Sequence, residues 1–322
     1  MYKIKLVPDN TKIPFLKFRM VAFALSGFLI LVSAAMFFSA GLNKGIDFEG
    51  GILIEIGTET APDIGDMRSS LGDLGMGQVA LQTFGSDTDV LIRVQRQEGD
   101  ASAQEEAVTL IKQQLASDYG DGISYRRVEF VGPTVSEELV WAATQAVVVA
   151  VLAMLIYIWL RFEWHYSVGA VVALVHDVVL TMGMFAVTQI EFNLASVAAI
   201  LTIVGYSIND TVVVYDRIRE NFRRYKKLTV TELINLSINE TLTRTTMTSL
   251  TTLLALIALY IFGGEVIRGF ATAMIFGVVV GTYSSVFIAA PILLKTGLTH
   301  QKEEETGFAG AEQAGGDAEE KS

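Results

Sequence analysis

Residues 194–215 read LASVAAILTIVGYSINDTVVVY, and this stretch decides how the chain folds. A helix needs about 20 apolar residues to cross a hydrocarbon core of ~30 Å, and this run is long enough and almost wholly apolar. It nevertheless carries Asp210 beside Asn209. An ionisable group near the centre of a span costs at least about 2.5–3.5 kcal/mol, so its presence points to function. Asp210 lies five residues before the end of the run, ~8 Å deep at 1.5 Å per residue. On a helix Ser207, Asp210 and Val214 share one face, and Thr202, Gly205 and Asn209 share another.

Five further segments have the same character: 19–40, 139–160, 167–188, 246–263 and 270–294. The chain is therefore expected to be a membrane all-α bundle of six transmembrane helices. The first follows Lys3, Lys5, Lys12, Lys17 and Arg19. Its apolar run exceeds the ~7–15 residues of a signal-peptide core and no small-x-small cleavage site follows, so it reads as an uncleaved anchor. Basic residues set the orientation. They crowd the N-terminus and the 216–245 loop (Arg217, Arg219, Arg223, Arg224, Lys226, Lys227, Arg244), with Arg161 and Lys295 on the same side. The short loops 189–193 and 264–269 on the other side hold a single arginine, Arg268. Both termini are expected in the cytoplasm, and residues 41–138 outside it.

The 322 residues carry a net charge of −11, and residues 42–138 account for all of it with 18 acids and 7 bases. Cysteine is absent, which excludes disulfides, thiolate metal sites and cysteine nucleophiles. The three histidines, His165, His176 and His300, are far apart, so no histidine-based zinc site is expected. There is no phosphate loop, Rossmann fingerprint or nucleophile elbow. The chain reads as no enzyme and needs no cofactor; work would draw on an ion gradient or on partners.

Residues 41–138 suffice for a small extracytoplasmic domain between helices 1 and 2. Residues 52–56 read as a strand, and Pro62 opens a helix to Gly75 with Asp63 and Asp66 in its first turns. Residues 79–84 and 90–95 form a hairpin across Gly85-Ser-Asp-Thr-Asp89. Ser102 and Glu105 make a capping box for a helix to Asp118, and 125–131 is the last strand. The order β-α-β-β-α-β is that of the α+β ferredoxin-like fold. Its acidic surface serves either solvation or contact with an unfolded chain.

Other polar residues interrupt the spans. Span five opens Thr241-Leu-Thr-Arg244-Thr-Thr-Met-Thr248-Ser-Leu-Thr251. Arg244, Thr248, Thr251 and Ala255 recur at helical spacing, so that face is expected to pack on another helix, with Asp210 as the partner of Arg244. An apolar setting and a nearby cation act on a carboxylate in opposite senses, which lets it take up and release a proton. His176 and Asp177 lie mid-span in span three; neighbours on a helix point about 100° apart and need not share a partner. They are either an extension of a proton path or satisfied interior groups. Arg244 has a second reading, snorkelling to headgroups. Gly277-x-x-x-Gly281 allows close helix packing. Thr229-x-x-Glu232 caps a short amphipathic helix in the cytoplasmic loop, its apolar side Leu233, Ile234 and Ile238, expected at the membrane interface. The acidic tail from about 295 is expected to be disordered.

Several motifs together resemble the SecD/SecF family of protein-export membrane proteins on its SecF side, within the resistance-nodulation-division (RND) superfamily. They are Gly45-Ile-Asp47-Phe48-Glu-Gly50-Gly51 after span one, Val131-Gly132-Pro133-Thr-Val-Ser-Glu-Glu-Leu139 at span two and Arg161-Phe-Glu-Trp164 after it. Gly205 to Asn221 and Asn239-Glu-Thr-Leu-Thr-Arg-Thr245 complete the set, which covers nearly all of 20–295 in order. The resemblance implies an RND-like half-bundle paired with SecD and joined to the SecYEG translocon, with YajC and YidC nearby. It implies use of the proton motive force to help draw an exported preprotein across the inner membrane after the SecA ATPase has pushed it in. By the same resemblance Asp210 and Arg244 belong to proton conduction; by their place in the spans His176 and Asp177 are further relay candidates, and Asn209, Thr211, Thr248 and Thr251 are the supporting polar face. Asp47, Phe48, Gly50, Gly51, Gly132 and Pro133 then form the motif that couples membrane and outer domain. The alternatives are half of a proton-driven small-molecule transporter and a passive translocon scaffold.

Overall fold

The structure is a computed structural model and describes residues 8, 11–99, 101–263 and 265–298. After a 3-10 turn at Phe15–Phe18 the elements run α1 (Arg19–Ser39), α2 (Ile46–Glu49), β1 (Gly51–Thr58), α3 (Ile64–Gly72), β2 (Val79–Phe84), β3 (Ser86–Val94), α4 (Ala101–Tyr119) and β4 (Ile123–Val131). There follow α5 (Pro133–Arg161), α6 (Trp164–Thr188), α7 (Leu194–Arg224), α8 (Val230–Phe262), α9 (Glu265–Ser284), a π-turn (Ser285–Ala289) and α10 (Ala290–Lys295). These form two compact units. One holds residues 42–148 and 190–197; the other holds the chain up to 41, 149–189 and the chain from 198.

The first unit is a four-stranded sheet in the order β2-β3-β1-β4, every neighbouring pair antiparallel. With α3 and α4 between the strands this is the ferredoxin-like arrangement the sequence led us to expect. Alternation along β1 puts Ile52, Ile54 and Ile56 on one face, where they meet Met67 and Leu71 of α3 and Ile111 and Leu115 of α4. Element edges differ from the sequence reading. Asp63 is the cap of α3, accepting from the Gly65 and Asp66 amides at 2.7 and 3.1 Å, so the helix starts at Ile64 and not at Pro62. Ser86 already belongs to β3, leaving Gly85 alone between the hairpin strands. Ser102 is the second residue of α4 and not its cap. The acids of this surface are felt locally: burial first, then the charges of Asp118, Asp66 and Asp63, raise the Tyr119 phenol above its ordinary value.

The second unit carries the apolar helices. Among the described residues six helices are long and apolar enough to cross a membrane. They outrun the apolar segments because polar turns continue them: α5 starts at Pro133, whose missing N–H costs nothing at a first helical position, and α7 runs on to Arg224. Thr229 and Glu232 do form a capping box, but they open α8 itself. The amphipathic stretch is thus the base of span five and not a separate helix. Its apolar residues Leu233, Ile234 and Ile238 are wholly buried within the protein rather than at a membrane interface. Its polar residues hold the N-terminal segment: Asn235 accepts from the Leu16 amide at 3.0 Å, and Asn239 clasps the Ile13 backbone through both amide atoms at 2.9 Å. Asn221 reaches Ser237 and Glu240, which also binds Arg217 at 2.7 Å.

The glycine pair of the last span finds its partner in α7. A Cβ on Gly277 would collide with Ile203, and one on Gly281 would press on Ser207. Burial is uneven. In their most apolar windows α6 and α7 are each 56% buried and the last span 67%, whereas the first and fifth spans are 17% buried and α5 not at all. The tail beyond 298, with His300, lies outside the described residues.

Candidate functional site

Two carboxylates sit inside the helical unit: Asp177 on α6, with no exposed surface, and Asp210 on α7, 6% exposed. Hydroxyl groups surround both. Asp177 accepts from His176 Nδ1 at 2.8 Å through Oδ1, and through Oδ2 from Ser284 at 2.7 Å and from Ser207 in a very short bond. The other imidazole nitrogen, Nε2, meets Ser26 Oγ of α1 at 3.1 Å. Ser26 in turn meets the Tyr283 hydroxyl at 3.1 Å, and Tyr283 donates to the Ala22 carbonyl at 3.0 Å. His176 and Asp177 therefore share one hydrogen bond directly, although adjacent residues on a helix diverge. The two side chains bend toward each other along the helix and exploit different outer partners.

Asp210 accepts from Thr245 Oγ1 of α8 at 2.8 Å and from Ser285 Oγ at 2.5 Å. Arg244, its expected partner, is near enough to attract the charge but makes no hydrogen bond to it and is exposed. This corrects the choice of face on span five. The buried stripe is Thr241, Thr245, Ser249 and Leu256, one position round from Arg244, Thr248, Thr251 and Ala255, which are exposed. The reason is hydrogen-bonding reach: Ser249 meets Thr282 at 2.7 Å and Tyr206 at 3.2 Å, while Thr248 and Thr251 only bond back to carbonyls of their own helix. On α7, Thr211 is buried and Asn209 exposed. Sequence reasoning missed Thr245, Ser284, Ser285, Tyr283 and Ser26. The polar run Thr282-Tyr-Ser-Ser285 inside an apolar span was the available signal. Among the described residues no cluster of three His, Asp or Glu could hold a metal ion.

The glycine-rich motif lies in the sheet unit. Gly50 and Gly51 have φ of 71° and 122°, and a Cβ on Gly51 would lie 2.6 Å from the Val94 carbonyl, so only glycine serves there. That sharp entry into β1 sets α2 against residues 190–197, which belong to the same unit. Gly45 donates to the Phe192 carbonyl and Phe192 to the Asn43 carbonyl, both at 2.8 Å. Phe48 stacks on Phe192 at 5.7 Å, and Arg93 of β3 pairs with Glu191 at 2.5 Å. Asp47 Oδ2 accepts from the amide of Leu194, the first residue of α7, at 3.0 Å. A carboxylate there meets both an orphan N–H and the positive end of the helix dipole. Gly132 accepts from the Ser136 amide at 3.0 Å, and Pro133 opens α5.

This combination, six apolar helices with an inserted βαββαβ unit, agrees with known proteins. The family "Protein export membrane protein SecD/SecF, C-terminal" matches residues 111–299, and the "SecD/SecF GG Motif" matches residues 35–62. The protein translocase subunit SecF of Rickettsia felis is 48% identical over 295 residues, 91% of this chain and 94% of that protein. The chain belongs to the SecD/SecF family. The SecF of Rickettsia prowazekii is 46% identical with the same coverage. The crystal structure of SecDF from Thermus thermophilus, titled a translocon-associated membrane protein, superposes with a TM-score of 0.80 at 35% identity over 89% of this chain. This chain spans only 39% of that one. As a SecF-family chain the protein is a multi-pass membrane protein, similar to subunits of the protein-export machinery and carrying an RND-like half-bundle.

Proposed function

We propose that the chain is the SecF half of a Sec accessory complex in the inner (cytoplasmic) membrane, with both termini cytoplasmic, and that it couples the proton motive force to late preprotein export. Its first partner is SecD, and it acts beside SecYEG with YajC and YidC near. The observation that carries this reading is Asp210: a carboxylate buried in an apolar bundle, held by two hydroxyls from two different helices, with Arg244 close by. A proton taken up there replaces charge-assisted hydrogen bonds by weaker neutral ones on α8 and on the last helix at once. The need for a partner half is supported by the uncovered α5 and by the exposed Arg244, Thr248 and Thr251 face. The route outward is α7, whose first turn is capped by Asp47 of the glycine motif. Arg161 with Asp216 at 2.7 Å ties the other ends of α5 and α7.

The test is preprotein translocation into inverted membrane vesicles with SecA and ATP, with and without a proton gradient. Asp210→Asn and Arg244→Met are expected to lose the gradient-dependent part at least tenfold, while SecD co-purification and the ATP-driven part persist. If both variants respond to the gradient like the native chain, the reading is wrong.

A further inference from the structure

The last span does not run as one α-helix. At Ser285–Ala289 it widens into a single π-turn, and the Ala290 amide bonds to the Ser285 carbonyl, five residues back. Pro291 supplies the cause. It has no N–H to offer the carbonyl of Phe287, four residues back, and its ring would strike it in a regular helix. Such one-turn insertions are rare and tend to mark functional positions.

The two ends of this turn are held by two side chains of α7. At its first residue, Ser285 donates to Asp210 Oδ2 at 2.5 Å. At its last, the Ala289 carbonyl accepts from the Tyr215 hydroxyl at 3.0 Å. Tyr215 is wholly buried and braced by the rings of Phe162 and Tyr166 at 5.9 and 5.2 Å. The space for its bond is reserved by α6: a Cβ on Gly169 would collide with the Tyr215 hydroxyl and crowd the Ala289 carbonyl. The Ser285 hydroxyl also has a second acceptor within reach, the Thr282 carbonyl of its own helix at 3.0 Å. Ser284, next to it, serves Asp177.

We propose that Ser285 is a positioning residue through which the π-turn senses the protonation of Asp210; this rests on the reading of Asp210 as a proton carrier. With Asp210 as carboxylate, the Ser285 proton lies on it and both ends of the turn are fixed to α7. When Asp210 Oδ2 takes a proton, that proton points at Ser285 Oγ, and the Ser285 proton turns to the Thr282 carbonyl. The charge-assisted bond becomes a neutral one, about half as strong. The turn is then held mainly by Tyr215, and its extra residue can move along the helix, shifting Ser284 against Asp177. The charged groups around Asp210 are Arg244 from α8 and, across the consecutive serines Ser285 and Ser284, Asp177 with His176 from α6; the last helix faces it with a hydroxyl.

The test is amide hydrogen exchange across residues 285–291 in the full chain, co-purified with its partner half in lipid nanodiscs. Asp210→Asn and Ser285→Ala are each expected to speed exchange about tenfold. The double variant is expected to exchange no faster than either single one, because both break the same link. Ser285→Thr keeps the hydroxyl and is expected at the native rate; Tyr215→Phe frees the other end and is expected to add a further increase to Ser285→Ala. Native exchange in either single variant, or multiplied effects in the double variant, would overturn the proposal. Exchange is read without translocation, so the two readings fail separately: an inert Asp210→Asn in vesicles sinks gradient coupling, and an additive exchange cycle sinks the π-turn link.

Discussion

Asp177 and Asp210 are both buried carboxylates on neighbouring helices, and consecutive serines of the last span serve them, yet they are built differently. Asp177 takes three donors, one of them an imidazole that is itself anchored through Ser26, and has no exposed surface. Asp210 takes two donors, Ser285, which has a second acceptor in the Thr282 carbonyl, and Thr245, one position from the exposed Arg244. The first is locked by its partners. The second is arranged so that one proton changes what two helices feel. On the proposed reading of Asp210, two carboxylates alike in burial differ in the number of donors that hold them.

The largest expected effect is at the locked site. Asp177→Asn replaces one of the two accepting oxygens by an N–H that faces donors and leaves His176, Ser207 and Ser284 without a charged partner, at a cost of about 3 kcal/mol. It should show as a lower melting temperature and a lower level of assembled complex, whereas Asp210→Asn should assemble normally while losing the gradient response. If the two variants behaved alike in both assays, the contrast between the sites would collapse. Next in size is helix packing beside them. Gly277→Val puts a branched side chain into Ile203, and overpacking of this kind costs about 1–3 kcal/mol. It should lower the melting temperature with the gradient response retained in whatever complex survives. The smallest is Ser249→Ala, which deletes links to Thr282 and Tyr206 and costs about 1 kcal/mol. A loss of gradient response in this variant would extend the working site along α8 beyond Thr245.

Much of this was legible in the sequence, for a physical reason. A span must satisfy its whole backbone inside itself, so length and hydropathy are enough to find six helices. The βαββαβ order followed from alternation and turn residues. Asp210, His176 and Asp177 stood out because carboxylates and imidazoles are costly in a span. Hydroxyls are not costly, since they bond back to their own helix, so Ser284, Ser285 and Thr245 gave little signal. The buried face of α8 is not the one its arginine suggests: the charge leads outward, and the adjacent stripe of small hydroxyl residues is what the bundle buries. The amphipathic stretch at Leu233, Ile234 and Ile238 was read as lying on lipid because sequence cannot show that α8 is continuous or that residues from Ile13 onward cover its base.

That clasp has a consequence for biogenesis. Ile13 and its asparagine partner Asn239 are 226 residues apart in the chain. At a synthesis rate of about 5–20 residues per second, the N-terminal segment leaves the ribosome roughly 10–45 s before its anchor exists. During that interval the first helix lacks the contacts that later fix its end, which come only when the base of the fifth span arrives.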